Sequence, residues 1–182
     1  MKRIIVLAAG VFMAAFVASA QNVKFGHINM QEVIYLMDET DSARVEMEKF
    51  SMDMQATFNA MKEEFDTKYR TYQQMGANWT PSVLAAKEQE LSDLQNRLVQ
   101  YEQNANIDMN NLQQQLMAPI VQKANAAVEK IGKLKGLIYV FDISSGAVIY
   151  ADTAQSMDLT VDVKTELGIP LDKTLPQAQP QM

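Results

Sequence analysis

The chain has 182 residues, a formal net charge of −6, no cysteine and one histidine. Sixteen Lys and Arg against 22 acids argue against a nucleic-acid binder. The missing cysteines exclude disulfides and thiolate sites, and His27 alone cannot build a multi-histidine metal site. A composition 48% hydrophobic with 13 methionines is that of a globular or coiled-coil protein, not a disordered one.

Residues 1–20 read as a signal peptide. Lys2 and Arg3 supply the positive start, Ile4 to Val17 the apolar run, and Ala18-Ser19-Ala20 the small-residue cleavage rule, with cleavage after Ala20. A membrane anchor is the alternative, and a mature N-terminus at Gln21 would remove it. No cysteine follows the apolar run, which excludes a bacterial lipoprotein. An exported protein works where ATP is not expected.

Val23 to Ile28 predicts a short strand with Phe25 and His27 on one face and Ile28 on the other. His27 is expected to make a structural hydrogen bond. Asn29 with Glu32 resembles a capping box, and a helix is expected from there to Met75 without interruption. Gly76 is read as its left-handed terminator. Thr80 then caps a second helix with Pro81 at its first position, running to about Ile131. Pro119 interrupts its ladder, beside a change in apolar spacing at Leu112, Leu116 and Ile120, and is the hinge candidate.

Both helices carry heptads. Met47, Met54, Met61 and Met75 fall in one row, and Phe58, Phe65 and Tyr72 in another. Leu84, Leu91, Leu98, Ala105 and Leu112 answer on the second helix, with Leu94 and Tyr101 beside them. Two interleaved rows seven apart form a coiled-coil seam. The turn at residues 76–81 makes the pair an antiparallel hairpin, an arm covering 31–131. Lys68, Lys87 and Asp108 fall at seam positions and are expected to pair or snorkel at its edge.

After Gly132 the pattern turns to strands. Leu137–Phe141 and Ala147–Tyr150 are expected to pair as a hairpin through Asp142-Ile143-Ser144-Ser145-Gly146. Asp158-Leu159-Thr160 opens a last helix to Leu167, with Thr160 as its cap, and Gly168 and Pro170 stop it. Residues 169–182 are expected to be a disordered tail. The fold class is thus α+β, a long helical hairpin inserted in a small strand body made of 21–30 and 132–168. Such a small body buries little apolar surface and leaves open strand edges. It should therefore oligomerise, with Phe25, Ile28, Val140 and Ile149 as candidate contacts.

The arrangement carries no nucleophile–base pair, no phosphate loop and no calcium loop, so neither an enzyme nor a cofactor is expected. The arm instead suggests soft apolar capture, since methionine repacks around varied partners. Because the heptad rows fill the seam, the client-contact candidates are the off-seam residues Met52, Tyr69, Trp79, Val83, Ile107 and Met109.

In order and spacing, several stretches resemble the Skp/OmpH family of periplasmic chaperones. They are Lys24-Phe25-Gly26-His27-Ile28-Asn29-Met30, the hairpin, Pro119-Ile120, Ala126-Ala127-Val128, Tyr139-Val140-Phe141-Asp142, Val148-Ile149-Tyr150 and Asp158-Leu159-Thr160-Val161-Asp162-Val163, over about residues 22–167. The resemblance implies a homotrimer with a shared β-barrel body and three arms around a cavity. It also implies ATP-independent holding of unfolded outer-membrane proteins. Well-known members are basic, whereas residues 31–131 here hold 9 basic and 16 acidic side chains, a net of −7. That departure argues against a lipopolysaccharide contact and against electrostatic capture of acidic clients. The acidic surface also motivates a rival reading, a structural adaptor that binds one folded envelope partner.

Overall fold

A computed structural model describes residues 23–152 and 154–176. The expected signal peptide and tail residues 177–182 lie outside the described residues. The chain runs β1 (Phe25–Ile28), α1 (Met30–Leu36), α2 (Asp38–Met75), a 3-10 turn (Gly76–Asn78), α3 (Pro81–Lys135), β2 (Tyr139–Asp142), β3 (Ser156–Asp158) and α4 (Thr160–Glu166). It is mostly helical, with two long helices and a small parallel sheet.

The arm is antiparallel. Contacts between its helices pair Glu39 with Lys123, Met54 with Tyr101, Lys68 with Glu90 and Tyr72 with Glu88, one number rising as the other falls. The 38 residues of α2 span about 57 Å and the 55 of α3 about 80 Å, at 1.5 Å per residue. Burial follows the heptads. The Met, Phe and Leu rows are half-buried from Met47 to Leu112 except at Met75 beside the turn, and Leu94 is 1% exposed.

The first helix is not continuous. It stops at Leu36 and restarts at Asp38, because Met37 takes an extended conformation at ψ 141. Thr40 stabilises the break, its hydroxyl donating to the Ile34 carbonyl at 2.5 Å. Asp38, Glu39 and Asp41 fill the first turn of α2, where the helix dipole favours acids. That acidic cluster was the readable sign of a new N-terminus. At the head of α1, Asn29 Oδ1 accepts the Glu32 amide at 3.0 Å. Glu32 does not complete a capping box: its carboxylate goes to Lys164 instead.

Gly76 is right-handed (φ −57) and leads into the 3-10 turn, so it is not the left-handed terminator expected. Thr80 caps α3 as expected, accepting from the Val83 amide, with Pro81 following. α3 also runs one turn further than expected. Gly136, at φ 66, ends it, and Gly132 lies buried inside the helix. A Cβ on Gly132 would sit 3.4 Å from Val140 Cγ2, so β2 packs closely on α3 at this residue.

The sheet has the order β2-β1-β3, and both outer strands run parallel to β1. The expected hairpin between 137–141 and 147–150 is therefore corrected. The strand paired with β2 is β1, and the chain returns through 143–155 to add β3 on the far edge. Ala147–Tyr150 is not a strand; it lies by the sheet face, where it borders a cavity of about 440 Å³ with Phe25, His27, Phe141 and Ser156. Parallel neighbours need a long crossover, and the whole arm supplies the one between β1 and β2.

The other sheet face covers the core. Ile28, Val33, Leu36 and Met37 pack with Ile120, Ala124 and Ala127 of α3 and with Leu159, Val163 and Ile169. Asp142 locks β2 to the start of α1, accepting from the Met30 amide at 3.2 Å and the Ser144 amide at 2.9 Å. Burial pushes its carboxyl up, but the Ser144 hydroxyl, donating at 2.6 Å, and these two amides outweigh that and hold it below the usual range. Thr160 is not the cap of α4. Leu159 stands at the cap position with no side-chain cap bond, and Asp158 Oδ1, one residue earlier, accepts from the Thr160 amide at 2.8 Å.

Candidate functional site

The arm's flanks and the sheet's open face carry the residues available to a partner. On the arm, Met52 is 59% exposed and Ile107 56%, and Tyr69 and Val83 are also exposed. Tyr69 stacks on Phe65 with centroids 5.9 Å apart, so its ring is held flat while its face stays open. Met109 is half-buried. Trp79 folds onto Tyr72, rings 6.1 Å apart, so it closes the turn and is half-buried there. Pro119 lies inside α3, which continues through it.

Two features of the arm escape heptad reading. One is a groove of about 230 Å³ between the helices at mid-arm, where Met54, Phe58 and Tyr101 meet Gln55 and Asn106. The other is amide density: eleven of the 21 residues from 95 to 115 are Asn or Gln, all exposed. These side chains both donate and accept hydrogen bonds without charge. They make this stretch of the shaft polar without adding to the arm's net charge of −7. The signal lay in composition within one helix, which a search for heptads passes over.

The expected seam-edge pairing occurs near the tip. Glu90 accepts from Lys68 and from Lys87, the latter at 2.8 Å, and Lys68 also lies 3.7 Å from Glu64. The hydrogen bond from Lys68, then that from Lys87, lowers the Glu90 carboxyl to about 2. Asp108 is exposed, as its seam-edge position allows.

On the body, Phe25, Tyr139 and Phe141 form one aromatic patch with centroids 6.0–6.4 Å apart. All three are exposed, and Ile149 is 98% exposed beside them. Of the candidate oligomer contacts, Phe25 and Ile149 thus face outward, and Val140 is half-buried against α3. Ile28 is 1% exposed and is taken up by the chain's own core. His27 is buried and its Nδ1 meets Ser156 Oγ at 2.9 Å, the structural hydrogen bond expected of it.

No group of three or more His, Cys, Asp or Glu among the described residues could hold a metal. No helix among them is long and apolar enough to cross a membrane. The chain thus presents a two-helix arm with an open apolar and amide surface, set on a small sheet with an exposed aromatic face. The family model described as outer membrane protein (OmpH-like) matches residues 24–167, and the chain belongs to this family. Comparison with curated proteins gives no match. Family membership supports a chaperone-type function in the periplasm.

Proposed function

We propose that the chain is an ATP-independent periplasmic holdase. In this reading three copies join their sheets into one barrel-like body, and the arms enclose an unfolded outer-membrane β-barrel protein. The observation that carries the reading is the division of labour on the arm. The heptad rows are spent on the seam, while Met52, Tyr69, Val83 and Ile107 stay exposed on the flanks of the shaft. Unfolded β-barrel strands alternate apolar and polar residues and expose backbone amides. Apolar side chains beside uncharged amides suit both.

The body supports the oligomer. The Phe25–Tyr139–Phe141 patch and the Ile149 segment leave apolar surface open, and β2 and β3 leave free edges. Monomeric proteins rarely expose contiguous patches of this kind without a partner, and free edges invite pairing. Sedimentation equilibrium on the protein lacking residues 1–20 tests the assembly. A trimer is expected, and a monomer would remove the shared body.

Light scattering tests the holdase. An unfolded outer-membrane protein diluted from urea should stay soluble at one trimer per client without nucleotide. Unchanged aggregation at that ratio sinks the proposal. Capture from envelope extract separates the adaptor reading. Recovery of one folded protein at fixed stoichiometry favours the adaptor, and recovery of many unfolded barrel proteins favours the holdase. The acidic arm disfavours lipopolysaccharide as a partner in either case.

A further inference from the structure

Residues 169–173 follow the family-matched region, which ends at 167, and they return to the root of the arm. Gly168, at φ 73, turns the chain after α4. Ile169 then enters the core, 6% exposed, its amide donating to the Lys164 carbonyl at 2.8 Å. A turn closed from the Lys173 amide to the Pro170 carbonyl aims Lys173 at α2. Its ammonium lies 2.9 Å from Asp38 Oδ1 and 2.8 Å from Asp41 Oδ2. The expected tail therefore begins as a packed segment.

The two aspartates form the first turn of α2, immediately after the break at Met37. On α3, Lys123 pairs with Glu39 at the same level, and Pro119 stands one turn before it. Pro119 has no N–H to give the Gln115 carbonyl. Both helices of the arm thus have a weakened ladder at the arm's root, where Ala43 and Leu116 still pack on the body's core, and such places are where helices bend. Lys173 bridges this level from a segment anchored in the body by Ile169.

We propose that residues 169–173 are a strap that fixes the angle between arm and body, held by Lys173 across Asp38 and Asp41. Strap closed, α2 continues rigidly from the core. Strap open, the arm pivots at Met37 and Pro119. The bridge is solvent-facing, with the Lys173 side chain 29% exposed and Asp38 87%, so salt weakens it. An arm that bends widens whatever space it borders, which makes the strap a control on that space.

The absence of cysteine allows site-specific labelling of the full chain. Nitroxides at Asn96→Cys on the shaft and Thr165→Cys on α4, diluted with unlabelled protein, report the arm angle by pulsed EPR. A single narrow distance is expected at low salt. Lys173→Gln should raise a second, bent population about two- to fivefold, the factor a surface ion pair of this kind corresponds to. Lys173→Arg should keep the narrow distance. Half-molar salt should broaden the native protein and change Lys173→Gln less, since only the Lys123–Glu39 pair is left across this level for salt to screen. A Lys173→Gln distribution identical to the native one overturns the strap, as does a broad distribution in Lys173→Arg. The readout needs no client, so it stands apart from any failure of the holdase assay.

Discussion

Lys164 Nζ lies 2.7 Å from Glu32 Oε1, with the lysine side chain only 8% exposed and the glutamate 27%. The pair ties the first turn of α1 to α4 across 132 residues of chain. Breaking a buried pair by removing one partner strands the other charge. Because Glu32 keeps some water, Lys164→Ala should cost about 1–3 kcal/mol, below the fully buried case. Lys164→Met keeps the apolar stem and should cost less. Urea unfolding of both variants checks this, and a larger loss in the methionine variant would count against it.

Seam and flank should separate cleanly. Leu94 is the most buried seam residue of the arm at 1% exposed, so Leu94→Ala should cost about 2–4 kcal/mol. Met52→Ser and Ile107→Ser lie on exposed positions and should change stability by at most about 0.5 kcal/mol. The same two changes together should weaken client holding several-fold. Denaturant melts beside an aggregation assay test both halves, and full activity in the double variant would move the binding surface elsewhere.

Gly26 sits in the central strand with no room for a side chain. An added Cβ would come 2.7 Å from Leu137 Cδ1 and 3.3 Å from the Met157 carbonyl oxygen. The leucine tip can rotate away, but the backbone of β3 cannot. Gly26→Ala should therefore destabilise the body by about 1–3 kcal/mol through overpacking. Thermal unfolding tests this, and an unchanged midpoint would show that β3 yields.

Glu90 should titrate far below an ordinary glutamate, near 2 against 4.5. A carboxyl with a depressed folded value adds stability above its unfolded value and loses it as pH falls through the folded one. The loss at the arm tip therefore belongs between about pH 4.5 and 2. Carbon-detected NMR titration reads the midpoint directly. In Lys68→Met it should move up toward 4.5, because the Lys68 hydrogen bond is the largest cause of the shift. High salt should move it the same way.

Salt also tests how the proposed holdase would grip a client. Apolar residues beside the uncharged amides of 95–115 predict binding that changes less than about twofold between low and physiological salt, whereas a charge-driven site would weaken steeply over that range. Fluorescence binding of an unfolded barrel protein at several ionic strengths measures the slope. A strong slope would assign the grip to charge instead.

The helical arm was legible because its signals are local. Heptads fix the seam at Met54, Phe58, Leu91 and Leu98, and Thr80-Pro81 fixes the start of α3, each within a few residues of chain. The family was legible in the same way, from short motifs in order. The candidate flank residues Met52, Tyr69, Val83 and Ile107 follow from subtraction, since a residue off both heptad rows has no seam to enter. Trp79 shows the limit of that subtraction, because its fold onto Tyr72 depends on the turn's geometry.

The periodic shaft, its direction reversal and the family all follow from local patterns along the chain. The parallel sheet, the departure of Ala147–Tyr150 from it, the place of Ile28 in the chain's own core and the reach of Lys173 back to Asp38 and Asp41 do not. A helix closes its hydrogen bonds within four residues, so its pattern is written along the chain. Strand partners and ion pairs here join residues more than 100 positions apart. No local pattern encodes which distant edge or charge will be met.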